Sequence, residues 1–99
     1  MQILTVERVC LSMQRALLGE IWDELDAVAV TFSQQENSIL ITFITYGSLS
    51  DDERDSVTSI AANIAADFNE TSVETIVDSE LSSSEDQILV FAKKNIGQR

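Results

Sequence analysis

The sequence predicts an α+β fold: helix, strand, strand, helix, strand, strand, with a four-stranded, mainly antiparallel sheet and both helices on one of its faces. Three observations predict it. Two segments carry apolar residues at helical spacing, and each is followed by a pair of short runs rich in β-branched and aromatic residues. With 99 residues, 44% of them hydrophobic, no proline and three glycines, no stretch reads as a linker. Residues 1–99 are therefore expected to form a single domain, large enough to bury about two-thirds of its unfolded surface.

The first helix is expected over Val6 to Leu25, where Val6, Val9, Cys10, Met13, Leu17, Ile21 and Leu25 form one stripe. Gly19 falls inside that span and is expected to bend or weaken it. Cys10 is the one cysteine, so it forms no internal disulfide, and in this stripe it reads as a small buried hydrophobe in a reducing compartment. Next come "AVAVTFS" and "SILITFITY" as strands, with the polar "QQEN" between them as a hairpin turn. The second helix opens at Ser50. With Glu53 three residues on, Ser50 makes a capping box, and Asp51, Asp52 and Glu53 sit where the positive end of the helix dipole favours anions. Val57, Ile60, Ala61, Ile64, Ala65 and Phe68 line one face of it. "SVETIVDSE" and "DQILVFAK" then read as a second strand pair around "LSSSE". Glu7-Arg8 recurs as Glu53-Arg54, and "SILITF" resembles "QILVFA", so a duplicated helix–hairpin unit is plausible.

Charge is the strongest functional clue. The chain has 17 acids against 6 bases, a formal net charge of -11. Every acid but Glu7 lies between Glu20 and Asp86, where Arg54 is the only base. In the third strand, period-two alternation separates Val73, Thr75 and Val77 from Glu74, Ile76, Asp78 and Glu80. The second set falls on the side the helices leave uncovered, where Ile76 stands inside an acidic rim, as partner-binding surfaces are often composed. Glu85 and Asp86 adjoin it at the following loop and strand start. Trp22 is bracketed by Glu20, Asp23, Glu24 and Asp26. The candidate partner-binding residues are therefore Glu74, Ile76, Asp78, Glu80, Glu85, Asp86, Trp22 and Asp23. Each has a plainer reading: the acids can form a solvated face, and Trp22 can fill the core. Tyr46, before Gly47 at a strand end, reads as a structural corner.

Several function classes are poorly served. Without histidine there is no Ser–His or Cys–His pair, and no imidazole to carry protons or ligate metal. A glycine-rich phosphate loop and a cysteine cluster are both missing, and Asp51, Glu53 and Asp55 lack the glycine and distal glutamate of a calcium loop. The expectation is a protein that is not an enzyme and takes no cofactor or metal. Lys93, Lys94 and Arg99 are the only clustered bases, so DNA or RNA would be repelled. "MQILTVERVC" has no basic region ahead of an apolar stretch, and no run is long enough to cross a bilayer, so a cytoplasmic protein is expected. What so negative a surface does attract is a basic protein, including one whose groove is built for phosphate.

In size, charge and element order the whole chain resembles the small acidic bacterial immunity proteins of nuclease toxins, of the colicin and contact-dependent growth-inhibition types. The resemblance implies an antitoxin that binds and neutralises a basic nuclease, an RNA- or tRNA-cleaving one, by covering or distorting its active site, as a monomer or weak homodimer. It carries no residue over by motif. The alternative resemblance is to type III secretion chaperones, acidic α/β proteins that hold an effector segment in apolar grooves. This chain is shorter than expected for them and ends in "KKNIGQR" without a third helix.

Overall fold

Thr5 starts the first helix by accepting the Arg8 amide on its hydroxyl at 3.2 Å, which satisfies an N–H that has no intrahelical partner. The computed structural model describes residues 3–22, 24–79 and 87–92. It places α1 at Val6–Leu17, β1 at Leu25–Ser33, β2 at Ser38–Thr45, α2 at Asp51–Asp67, β3 at Ser72–Asp78 and β4 at Ile88–Ala92.

Helix α1 ends at Leu17 rather than at Leu25. Leu18 leaves the helical region at φ -61°, ψ 119°, and Gly19 follows at φ +79°, a conformation that favours glycine. Gly19 thus stops the helix instead of bending it. Val6 and Ile21, expected on the buried stripe, are exposed, and Leu25 is buried as the first residue of β1. Cys10 is only half-buried, at the flank of a stripe whose buried members are Val9, Ser12, Met13, Ala16 and Leu17.

Helix α2 forms as its opening residues require. Ser50 Oγ accepts the Glu53 amide at 3.2 Å while Glu53 Oε1 accepts the Ser50 amide at 2.8 Å, the reciprocal capping box. Val57, Ile60 and Ile64 are buried, and Phe68 closes the helix with its side chain in the core. The two helices are tied where α1 passes the end of α2. Ser12, itself buried, donates to Asp67 Oδ2 at 2.5 Å, and Arg15 reaches the same oxygen at 3.3 Å. The Arg8 guanidinium lies 5.7 Å from the centre of the Phe68 ring.

The strands form one sheet in the order β3-β2-β1-β4. β1 and β2 are an antiparallel hairpin in register from Ser33↔Ser38 to Ala27↔Ile44, across the predicted turn at residues 34–37, with a one-residue shift at Asp26 before Leu25 pairs with Thr45. β4 is antiparallel to β1, but β3 runs parallel to β2. The sheet is therefore mixed, and the second hairpin of the sequence reading does not exist: β3 and β4 occupy opposite edges. α2 is the cause, because a helix between two strands carries the chain back to the end where the previous strand began, which makes the next strand parallel. For the same reason the two halves are not repeats of one helix–hairpin unit.

Alternation then sorts the sheet. Val28, Val30, Ile39, Ile41 and Phe43 face α1 and α2 and form the core with Val9, Met13, Ile60 and Ile64. The other set of side chains makes the second face.

Candidate functional site

The register fixes who stands beside whom on that second face. Three rows cross it: Thr31, Leu40 and Glu74; Ala29, Thr42 and Ile76; Ala27, Ile44 and Asp78. Leu89 of β4 pairs with Ala29 and extends the middle row. The centre of the face is nearly closed to solvent, with Ala27, Ala29, Thr42 and Ile44 all buried. What it exposes lies at the edges. Glu74, Ile76 (45%) and Asp78 stand on β3, and Leu89 (51%) on β4.

β3 therefore displays an acid, an apolar residue and an acid in succession on one side. The alternation anticipated from the sequence is present, but its other half is less buried than expected. Val73 packs against the core, whereas Thr75 and Val77 (44%) are exposed. β3 is an edge strand, and the core helices do not cover its far end. Asp78 Oδ1 accepts the Ser79 amide at 2.7 Å, which turns the chain at the strand end.

Beside Glu74 the second face opens into a hollow of about 620 Å³ toward the β1–β2 turn. Thr31, Ser33, Ser38 and Ser72 line it with two acids, Glu36 and Glu74. The sequence reading passed over Glu36 as a turn residue. Its proximity to β3 follows from the parallel pairing, which brings Ser72 beside Ser38. Asn37 secures that junction. At φ 53° it donates from Nδ2 to the Glu70 carbonyl, accepts the Thr71 hydroxyl at 2.9 Å on Oδ1, and accepts the Ser72 amide at 3.0 Å on its own carbonyl.

Trp22 is half-buried. Its ring stacks on Phe43 with centroids 6.3 Å apart, and Nε1 donates to Thr45 Oγ1 at 3.1 Å; that hydroxyl in turn donates to the Glu24 carbonyl at 3.0 Å. This anchors the segment between α1 and β1 on the core side of the sheet, the face opposite to that of Glu74, Ile76 and Asp78. Tyr46 is exposed, and its amide donates to the Glu24 carbonyl at 2.8 Å, consistent with a corner. Asp23, Glu80, Glu85 and Asp86 lie outside the described residues. Among those described, no three acids or cysteines come together to hold a metal ion, and no helix is long and apolar enough to cross a membrane.

These features define a small acidic α+β protein whose exposed edge strand presents an acid, an apolar residue and an acid in succession. The chain belongs to the MafI2 immunity protein family, whose model matches residues 6–95. No curated protein matches it. Among solved structures it is similar to a protein from Shewanella oneidensis, with a TM-score of 0.59 and 10% identity over 92% of this chain and 76% of that one. At that identity the likeness concerns the fold alone.

Proposed function

We propose that this chain binds and neutralises a basic nuclease toxin, an RNA- or tRNA-cleaving one, by covering its active site, and that it does so in the cytoplasm without catalysis of its own. Membership in an immunity family supports the antitoxin reading over the chaperone one. The observation that carries the basic partner is the Glu74, Ile76, Asp78 series on an exposed edge strand of a chain with net charge -11. A positive groove meeting that surface gains long-range attraction during encounter and a short apolar contact on docking. Asp23, Glu80, Glu85 and Asp86 are proposed to extend the contact, whereas Trp22, stacked on Phe43 on the core side, serves to anchor its own segment.

The test is to identify the toxin domain by co-purification and co-express it with this chain, followed by binding and neutralisation assays. Glu74→Lys and Asp78→Lys are expected to slow association and abolish protection. A carboxylate paired with a desolvated Arg or Lys loses about 2–5 kcal/mol when removed. Asp51→Asn, at the start of α2, is expected to bind normally. Normal protection by both β3 variants would place the interface elsewhere.

A further inference from the structure

Of the two edge strands, only β3 is left as a usable template. β4 carries a register shift against β1 between Val28 and Ala29, the kind of bulge that spoils an edge for further pairing. β3 pairs with β2 in unbroken register from Ser72 to Asp78. It contains no lysine, proline or bulge, and its two charges, Glu74 and Asp78, guard the edge against acidic strands while leaving it open to a basic one. Among the described residues no strand lies on its outer side. Its side chains are exposed on both faces, with Ile76 on one and Val77 on the other. A partner lying flat on the second face would meet little at the centre, where Ala27, Ala29 and Ile44 are buried.

We infer that the toxin docks by adding an extended segment to the outer edge of β3 as a fifth strand. This rests on the antitoxin reading above and specifies its geometry. Backbone hydrogen bonds along β3 supply the ladder, and alternate side chains supply selection. Opposite Glu74 and Asp78 the added strand carries Lys or Arg, and opposite Ile76 an apolar residue, because cross-strand neighbours on one face stand in contact. On the other face an apolar residue covers Val77. The basic side chain opposite Glu74 also reaches the rim of the hollow, where Glu36 adds a second carboxylate. A second copy of this chain is the poorer occupant, since it brings a net charge of -11 against its like.

Hydrogen–deuterium exchange on the full chain, alone and with the co-expressed toxin domain, tests this. Amides alternating along residues 72–78 are expected to slow on binding. Val77→Asp is the discriminating variant: it lies on the helix side, so it is silent for flat docking, but strand addition brings the added strand against it and affinity is expected to fall about tenfold. A complex that forms with β3 exchange unchanged and Val77→Asp binding normally overturns strand addition and leaves the antitoxin reading standing. Absence of any complex removes both. Slowed β3 exchange in the free chain that grows with its concentration assigns the edge to self-pairing and overturns the toxin strand.

Discussion

Asn37 shows how much of this fold one side chain can organise. It sits in the left-handed region, where a residue with a Cβ is strained and asparagine is among the better tolerated. From there its side chain and carbonyl meet residues 70–72 and so dock the start of β3 beside the β1–β2 turn. Asn37→Ala removes two side-chain hydrogen bonds and adds conformational strain, and is expected to cost about 1–3 kcal/mol in urea unfolding. Asn37→Gly relieves the strain while removing the same bonds, so it is expected to cost less than Ala. Equal losses would mean that the bonds alone matter. Nothing in "QQEN" announces this role, because its partners come from a segment more than thirty positions away whose placement depends on the parallel pairing. At Ser50, by contrast, both capping partners lie within one turn, and residue types alone identified them.

At the level of elements, legibility followed the range of the interactions involved. Helix α2, both strands of the first hairpin and the turn between them were readable because cap, period and turn are local. α1 was overextended, although two stop signals were present. Gly19 suits a helix C-terminus, and Glu20 and Glu24 would have crowded the negative end of the dipole had the helix continued. β3 and β4 were located correctly but wrongly paired. Alternation says which residues share a face, not which strand is the neighbour, and the strand–helix–strand order of β2, α2 and β3 was the available sign of a parallel pair. The candidate acids were found for the same reason: period two puts Glu74, Ile76 and Asp78 together wherever β3 lies. Their edge position was not legible. The α2 face offers a direct check. Ile64→Ala is expected to cost about 2–5 kcal/mol through lost burial and the cavity left behind. Ser50→Ala is expected to cost about 1 kcal/mol through the lost cap. A near-neutral Ile64→Ala would mean that α2 packs by another face.

For the whole molecule, the excess of acids acts with opposite sign on folding and on binding. Within the free chain, like charges from α2, β3 and the segment between α1 and β1 repel, and a net charge of -11 works against the compact state. Few internal bases offset it: among the described residues Arg15 meets Asp67, and that pair is substantially exposed, so it contributes little. Against a positive partner the same field accelerates encounter, and mobile ions weaken both effects over a screening length of about 10 Å at 0.1 M salt. Raising NaCl from roughly 50 to 500 mM is therefore expected to raise the melting temperature of the free protein. The same change is expected to slow its association with the toxin domain about tenfold or more while changing dissociation far less, since steering acts on encounter and close contacts on residence. Stopped-flow association and thermal unfolding on the same preparation measure both. Association insensitive to salt, alongside a melting temperature that rises as expected, would show that the repulsion is real but that the partner is not basic at the contacted surface.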